Sequence, residues 1–310
     1  MRIVVTGGAG FIGANLCRRL LGHPAVGEVV VVDDLSTGLR SNLDGLDVAF
    51  VEGSILDADL LDGVLTGAAS VVHLAARPSV PRSLADPVAS HTVNATGTVE
   101  VLEAARRAGG IHCVVASSSS VYGATPTLPK SEDLPTRPLS PYAASKLATE
   151  ACALAWGHSF GLPVLALRFF NVFGPLQPAG HAYAAVVPAF VSAALDGRPL
   201  PVHGDGTQSR DFTFVDTVTA VLTDAVVRRV VSPEPVNLAF GTRTTLVELI
   251  RLLGEILGRE LAVEHQPPRP GDVAHSQADD RRLRALFPDV EPVPLPEGLR
   301  ATVAWFASCR

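Results

Sequence analysis

The chain has 310 residues, of which 47% are hydrophobic and 18% charged, and its formal net charge is −6. This composition predicts a large buried core rather than a disordered chain, and the dispersed basic residues argue against a protein that binds nucleic acid. No apolar run reaches the roughly 20 residues of a membrane span, and no signal peptide or membrane contact is expected.

The four cysteines, Cys17, Cys113, Cys152 and Cys309, are far apart and match neither a metal-binding nor a disulfide pattern. The nine histidines are scattered in the same way. We therefore expect no metal site and a reducing, cytoplasmic setting.

Short apolar runs alternate with helical segments through the first half of the chain. The runs lack polar alternation, which is typical of parallel strands buried on both faces. We predict strands at 2–6, 28–32, 47–51, 70–74, 111–116 and 163–168, and helices near 11–22, 57–65, 86–109 and 142–160. Repeated strand–helix units predict an α/β protein with a doubly wound, Rossmann-like parallel sheet.

The pattern changes after about residue 170. Segments rich in proline and glycine, at 174–181, 197–206 and 266–272, separate helices predicted near 184–196, 216–229, 245–257 and 296–308. We predict one domain at 1–170 and a smaller, irregular α/β lobe at 171–310, with some segments crossing back. The lobe is expected to close over the first domain.

The segment TGGAGFIG follows the first predicted strand and opens the first predicted helix. Its glycines, Gly7, Gly10 and Gly13, would let the backbone turn tightly and approach a pyrophosphate at a helix N-terminus. Asp33 ends the second predicted strand, where a carboxylate accepts hydrogen bonds from an adenosine ribose and repels a 2′-phosphate. The pattern predicts a dinucleotide cofactor, NAD rather than NADP, and Arg40 is interpreted as an exposed loop residue.

The fourth predicted strand ends in the sequence His73-Leu74-Ala75-Ala76. Its small residues would let the chain pass close beneath a cofactor. Ordinary packing between a helix and a strand would explain the same residues equally well.

Tyr142 and Lys146 are four residues apart and therefore lie on one face of a helix. A free tyrosine has a pKa of about 10 and is a poor base, but a nearby lysine and a positive nicotinamide ring would favour the phenolate. Ser140-Pro141 looks like a helix start, which places Tyr142 near the positive end of the helix dipole. The spacing alone also fits an ordinary amphipathic helix. Its place beside a nucleotide cradle and the serines at 117–120 favours an acid/base site.

These motifs resemble the extended short-chain dehydrogenase/reductase family, and specifically its nucleotide-sugar epimerases and dehydratases, over nearly the whole chain. TGGAGFIG, the acidic end of the second strand, HLAA, Asn94 with Gly97-Thr98, SSSSVYG and SPYAASK occur in the family's order. RFFNVFGP (168–175), RDFTFVDT (210–217) and RPGD (269–272) resemble its nucleotide-diphosphate-binding segments.

The resemblance implies a role for each matching residue. Tyr142 would be the base, Lys146 its partner and a ligand of the nicotinamide ribose, and Ser118 the catalytic hydroxyl. NAD would contact Gly7, Gly10, Phe11, Ile12, Gly13, Asp33, Ser36, Thr37, Gly38, Ser54, Ile55, Leu74, Ala75, Ala76, Asn94, Tyr142 and Lys146. The UDP-sugar would contact Ser79, Ser118, Ser119, Ser120, Asn171, Gln177, Val187, Arg210, Arg269, Asp272 and Ser276. Ser54 stands where the family often has an aspartate, which weakens the assignment of an adenine contact.

The resemblance also bears on the reaction. Dehydratases and decarboxylases of the family carry an acid just after the catalytic hydroxyl, whereas this chain has Ser119 and Ser120 there. This favours C4 epimerisation through a transient 4-keto sugar with NAD retained. A 4,6-dehydratase, a 4-ketosugar reductase and a non-catalytic nucleotide sensor remain alternatives.

Substrate choice is less constrained by the sequence. SVPRS (79–83), Gln177, YAAVVP (183–188) and the small Ser276 resemble the epimerases that accept N-acetylated UDP-hexoses. UDP-glucose and UDP-galactose stay open, and the serine triplet at 118–120 could also hold the C6 carboxylate of UDP-glucuronate. The family further implies a homodimer packed through 92–108 and 142–158.

Overall fold

The computed structural model describes residues 1–179, 185–267 and 274–310. Its strands in chain order are β1 (Arg2–Thr6), β2 (Glu28–Asp33), β3 (Ala49–Glu52), β4 (Ser70–His73), β5 (His112–Ser118), β6 (Val164–Phe169), β7 (Asn171–Phe173), β8 (Leu200–His203), β9 (Ser209–Arg210), β10 (Phe212–Phe214), β11 (Val236–Leu238), β12 (Thr244–Thr245) and β13 (Val263–Gln266). Seven of them form the main sheet in the order β11-β6-β5-β4-β1-β2-β3, and all its neighbouring strands run parallel. The predicted doubly wound parallel sheet is confirmed.

The helices are α1 (Phe11–Leu21), α2 (Ala58–Leu65), α3 (Val80–Ala85), α4 (Pro87–His91), α5 (Gly97–Arg107), α6 (Pro141–Phe160), α7 (Val186–Leu195), α8 (Val215–Arg228), α9 (Leu246–Leu257), α10 (Arg281–Leu286) and α11 (Leu295–Ser308). The helix predicted at 86–109 is divided into α4 and α5 by one π turn at Thr92–Thr96. The helix start predicted before Tyr142 is confirmed, because the Ser140 hydroxyl accepts from the Ala143 N–H and Pro141 occupies the first turn of α6.

Both faces of the main sheet are covered by helices, which explains why its strands are apolar throughout. On one face, side chains of α1 and α8 pack against β1, β2 and β6 in one core cluster. On the other face, α2, α5 and α6 pack against the alternate residues of the same sheet.

Part of the second half returns to the main sheet. Helix α8 contacts α1, and β11 pairs with β6, so that Asn237 lies opposite Arg168. The sequence predicted a helix near 216–229 and some segments crossing back, but not which segments these are. Strand β11 was not predicted, because a three-residue strand carries no periodic signal. The rest of the lobe has a core of its own, built on phenylalanines of β7 and β10 and on leucines of α9 and α11.

The parallel arrangement brings the carboxyl ends of the strands to one edge of the sheet. Gly7 follows β1, Asp33 ends β2, Leu74 follows β4 and Ser118 ends β5. Ligands of open α/β sheets bind at this edge. Among the helices that the structure describes, none combines the length and the apolar character needed to cross a membrane.

Candidate active site

The glycine-rich loop between β1 and α1 is closed so tightly that side chains would not fit. Gly7 has a φ of +71°, and a Cβ there would lie 2.6 Å from the Ala75 backbone nitrogen. A Cβ on Gly13 would lie 2.2 Å from the Gly7 carbonyl oxygen. Gly10 donates to that same oxygen at 3.2 Å and immediately precedes α1. This compact loop, the backbone cradle, leads directly into the first turn of α1, with Phe11 and Ile12, and the amides of that turn have no partner within the helix.

Asp33 is buried at the end of β2, and its carboxylate faces this loop. One oxygen accepts from the Ala9 N–H and the other from the Leu35 N–H, each at 2.9 Å. Burial raises the pKa of Asp33, while these two hydrogen bonds lower it. A carboxylate has about four acceptor positions, so acceptor capacity remains for ribose hydroxyls. A glycine is needed at position 38, since a Cβ there would lie 3.0 Å from both carboxylate oxygens of Asp33.

The other residues predicted for the cofactor border the same edge. Ser36 and Thr37 are exposed, and the Ser36 N–H and hydroxyl both donate to Asp34. Ser54 is half-buried and caps the Leu56 N–H, whereas Ile55 is buried. Arg40 is exposed, with its guanidinium 4.1 Å from the centre of the Phe50 ring, as expected for a loop residue.

Asn94 fixes the chain segment that follows β4. Its amide accepts from the Arg77 N–H at 2.7 Å and donates to the Arg77 carbonyl at 3.2 Å. It also donates to the Ser145 hydroxyl of α6 at 2.9 Å. Leu74, Ala75 and Ala76, which lead into this segment, are half-buried. Asn94 thus ties the loop beneath the cradle to the helix that carries Tyr142.

These residues fit a dinucleotide such as NAD. The glycines of the cradle carry no side chains, so its backbone can approach a pyrophosphate. A carboxylate with spare acceptor capacity lies at the end of the adjacent strand. Both features were predicted from the sequence, and the structure brings them together.

Tyr142 lies at the start of α6 and reaches across to the end of β5. A side-chain interaction with Ser118 lowers the pKa of Tyr142, but burial has the larger effect and raises it. The Tyr142 N–H donates to the Ser83 hydroxyl of α3 at 3.0 Å. Ser83 was not predicted, although it lies inside the SVPRS segment. The tyrosine is therefore held from both sides.

Lys146 follows one turn later and is buried. Its ammonium donates to the Ala116 carbonyl of β5 at 2.8 Å, and burial lowers its pKa to about 8. His73 is buried nearby, hydrogen-bonded to Thr6 and Thr98, and burial lowers its pKa to about 3. His73 is therefore neutral and adds no positive charge beside Lys146.

The serine cluster at the end of β5 forms a small hydrogen-bonded turn. Ser118 accepts from the Ser120 N–H at 3.2 Å and from the Ser120 hydroxyl at 2.9 Å. Ser118, Ser119 and Ser120 are all half-buried. The turn presents hydroxyls and no carboxyl group beside Tyr142.

On the lobe side, Asp211 organises the predicted diphosphate segment. Its carboxylate accepts from the Ala278 N–H at 3.0 Å and the Thr242 hydroxyl at 2.8 Å, and burial raises its pKa to about 6. Its carbonyl accepts from the Asn171 side chain at 3.1 Å. Arg210, the preceding residue, donates to the Ser209 and Ala274 carbonyls. Asp211 was not predicted as a site residue; its neighbours in RDFTFVDT were the only signal for it.

The remaining residues predicted to contact the UDP-sugar differ in burial and in hydrogen bonding. Gln177 donates to the Val172 carbonyl at 3.1 Å, and Ser79 begins α3 with a φ of +96°. Ser276 is half-buried, and its N–H donates to the Ser209 carbonyl. The Val187 side chain is buried in the lobe core, so only its backbone in the first turn of α7 could touch a ligand. Two more predicted contacts, Arg269 and Asp272, lie outside the described residues, as does the start of YAAVVP.

Comparison with known proteins gives consistent matches. A model of the NAD dependent epimerase/dehydratase family matches residues 3–239. A UDP-glucose 4-epimerase of Mycolicibacterium smegmatis is 41% identical, with 99% of this chain and 98% of that protein covered. A dTDP-glucose 4,6-dehydratase of Streptomyces niveus is 35% identical, with 100% and 94% covered. The solved UDP-N-acetylglucosamine 4-epimerase of Methanobrevibacter ruminantium, in complex with UDP-N-acetylmuramic acid, superimposes with a TM-score of 0.93 at 35% identity and covers 100% of this chain and 99% of its own.

Proposed function

The chain belongs to the NAD dependent epimerase/dehydratase family, and from that premise we propose that it interconverts the C4 epimers of a UDP-hexose with NAD retained. The observation that carries the proposal is the pairing of Tyr142 with Ser118, with Lys146 one turn away, beside the glycine cradle. The reaction needs a base at one hydroxyl and a hydride acceptor close to it.

The cradle of Gly7, Gly10 and Gly13 would hold the NAD pyrophosphate, Asp33 the adenosine ribose and Lys146 the nicotinamide ribose. When bound, NAD supplies a reversible hydride acceptor and a positive ring. A tyrosine whose pKa is raised by burial needs such nearby positive charge before it can act as a base.

In the proposed reaction, Tyr142 accepts the proton of the sugar 4-hydroxyl, with Ser118 hydrogen-bonded to the same hydroxyl. Lys146 stabilises the phenolate electrostatically. Removal of this proton together with the C4 hydride leaves a 4-keto sugar. The ketone turns in the site, recovers the hydride on its other face and takes the proton back from Tyr142. Because the sugar takes the hydride back, the proposed reaction would need no net oxidant or reductant.

The lobe would hold the nucleotide diphosphate. Arg210 can fork onto phosphate oxygens. Asn171 lies close to it, because the Asn171 side chain donates to the carbonyl of Asp211, the residue that follows Arg210. Arg269 is proposed as a second phosphate ligand from its motif.

The sugar is proposed to be UDP-N-acetylglucosamine and its galacto epimer, UDP-glucose and its epimer, or both. Ser276 is small and half-buried, so it occupies less of the site than a bulky residue would, and the similar Methanobrevibacter ruminantium enzyme was solved with an N-acetylated sugar nucleotide. The hydroxyls of Ser118, Ser119 and Ser120 favour UDP-glucuronate as a second candidate, since they could receive a C6 carboxylate.

The similar Streptomyces protein makes a 4,6-dehydratase the competing reaction. Elimination at C5 and C6 needs an acid and a base beyond Tyr142. The turn after Ser118 offers only Ser119 and Ser120, whose hydroxyls do not serve as acids near neutral pH. A 4-ketosugar reductase would use the same tyrosine and lysine but would consume a reduced cofactor.

We further propose a cytoplasmic homodimer packed through α5 and α6. Exposed Ala144, Ala151 and Ala155 follow one another along α6 at helical spacing. Small side chains at these positions permit close approach of a second copy.

The test is proton NMR of UDP-N-acetylglucosamine mixed with the purified protein and no added cofactor. Appearance of the galacto epimer would support both retained NAD and a pocket that accepts an acetamido group. A static spectrum, from folded protein shown to contain NAD, would contradict the N-acetyl preference, and UDP-glucose and UDP-glucuronate would then be tested in the same way.

A further inference from the structure

A fully buried ion pair lies directly beneath the proposed active site. The Glu150 and Arg168 side chains are each only 4% exposed and share two hydrogen bonds, at 2.7 and 2.9 Å. Removing two charges from water is costly, and an apolar pair of similar volume is often as stable. The proposed reaction uses neither the Glu150 carboxylate nor the Arg168 guanidinium, so the position of this ion pair needs another explanation.

Glu150 connects α6 to β5. It lies one turn beyond Lys146 and accepts from the Ser117 hydroxyl at 2.8 Å. That hydroxyl also lies 3.4 Å from the Lys146 carbonyl. Ser117 immediately precedes Ser118 on β5. The glutamate therefore sets the position of the helix that carries Tyr142 and Lys146 relative to the strand that carries Ser118.

Arg168 extends the same connection to the turn that follows β5. It donates to the Tyr122 hydroxyl at 2.8 Å, and its guanidinium lies 4.7 Å from the centre of the Tyr122 ring. The Tyr122 hydroxyl in turn donates to Asn237 of β11 at 2.7 Å. Tyr122 ends the short helical turn that Ser118 caps. The ion pair thus connects the helix that carries Tyr142 to the strand and the turn on either side of Ser118.

We propose that Glu150 and Arg168 are positioning residues, which fix the distance between the Tyr142 and Ser118 hydroxyls and so set the rate of the chemical step. The inference rests on the proposed function for its effect on turnover. It also makes a prediction about Tyr142 that needs no substrate.

The experiment compares three variants of the NAD-loaded protein. Glu150→Gln leaves a buried, unpaired Arg168 charge and is expected to be unstable. The double variant Glu150→Leu/Arg168→Met removes both charges and should regain much of that stability. Ser117→Ala leaves the ion pair in place and removes the hydrogen bonds of the Ser117 hydroxyl to Glu150 and to the Lys146 carbonyl. The matched control is Glu255→Leu/Arg251→Met, which removes an exposed ion pair on α9.

Two readouts separate positioning from a merely structural role. The first readout is the change in kcat compared with the change in KM for the UDP-sugar. The urea unfolding curve of each variant is measured as well, so that a loss of stability is recognised. The second is the near-ultraviolet titration of Tyr142, taken as the difference between each protein and its Tyr142→Phe counterpart, which cancels the contributions of Tyr122 and Tyr183. A displacement near 1 Å can reduce the rate about a hundredfold. We therefore expect the folded double variant to lose kcat on that scale with KM close to the wild-type value.

The pKa of Tyr142 should rise in the double variant and, by a smaller amount, in Ser117→Ala, because the interaction with Ser118 weakens. The inference is overturned if the double variant keeps the wild-type kcat and Tyr142 titration. If the double variant does not fold, the same criterion applies to Ser117→Ala. Failure of the wild-type protein to convert any UDP-hexose would contradict the proposed function alone. The titration would still decide the inference, since an unchanged Tyr142 pKa overturns it and a raised one supports it.

Discussion

Tyr142 and Lys146 respond in opposite directions to the same burial. Burial raises the pKa of the tyrosine and lowers that of the lysine to about 8. Both shifts favour the neutral forms, whereas catalysis needs the phenolate and the ammonium. The pair therefore depends on added positive charge, which is the contribution expected of the nicotinamide ring.

The lysine pKa predicts a pH dependence of activity. Below about pH 8, Lys146 is protonated and can stabilise the Tyr142 phenolate; above it, the charge is lost. We expect kcat/KM to fall as the pH rises through this region, measured with the NAD-loaded enzyme. Lys146→Arg is the control, because an arginine stays protonated throughout: its activity should be lower, but without that alkaline fall. The same fall in the variant would contradict the assignment to Lys146.

Asp211 predicts a pH dependence of stability instead. Burial raises its pKa from 3.8 to about 6, so between these values the folded protein keeps a proton that the unfolded chain has lost. The contribution of Asp211 to stability is therefore larger at low pH and falls as the pH rises from about 4 to about 6. Relative to Asp211→Asn, the free energy of unfolding should drop by roughly 3 kcal/mol across this window, at about 1.4 kcal/mol per pH unit.

Urea unfolding of both proteins on either side of the window measures this difference, and other titrating groups cancel in it. A difference that stays constant or grows with pH would show that the hydrogen bonds from Ala278 and Thr242 outweigh burial.

At the scale of single elements, the β1–α1 turn leaves no space for side chains at Gly7 and Gly13. A Cβ on Gly13 would meet the Gly7 carbonyl oxygen at 2.2 Å, so Gly13→Ala must displace the cradle. We expect the purified variant to contain less NAD, measured as nucleotide released on denaturation, and to unfold at lower urea concentration.

Gly63 provides the matched control, because it lies within α2 and a Cβ there meets nothing within 4 Å. Gly63→Ala should keep its NAD and gain about 0.5–1 kcal/mol of stability. An NAD content of Gly13→Ala equal to that of Gly63→Ala would argue against the cradle as the pyrophosphate site.

Elements whose signals are local in sequence could be predicted. The start of α6 follows from the Ser140 cap and Pro141, and the end of β2 at Asp33 follows from the apolar run before it. Asn94 could be placed only by resemblance, since its partners Arg77 and Ser145 lie 17 and 51 residues away in the chain. The π turn that carries Asn94 has no local sequence signal of its own.

At the scale of the whole molecule, the alternation of strands and helices was enough to predict the parallel sheet, because each strand–helix unit constrains the next. The return of α8 and β11 to that sheet was not predictable in the same way. It depends on pairing between β6 and a three-residue strand about 70 residues later. Asp211 was missed for a related reason, since its role follows from contacts with residues 242 and 278.

The central claim is that the hydride taken from C4 returns to C4 within one active site. It is tested most directly with UDP-N-acetylglucosamine, or the UDP-hexose found to react, carrying deuterium at C4, incubated with the purified protein and no added cofactor. We expect the 4-epimer to form with deuterium still at C4. Deuterium found at C6 of a 4-keto-6-deoxy product would identify a dehydratase, and turnover only after a reduced cofactor is supplied would identify a reductase; either result would contradict the account.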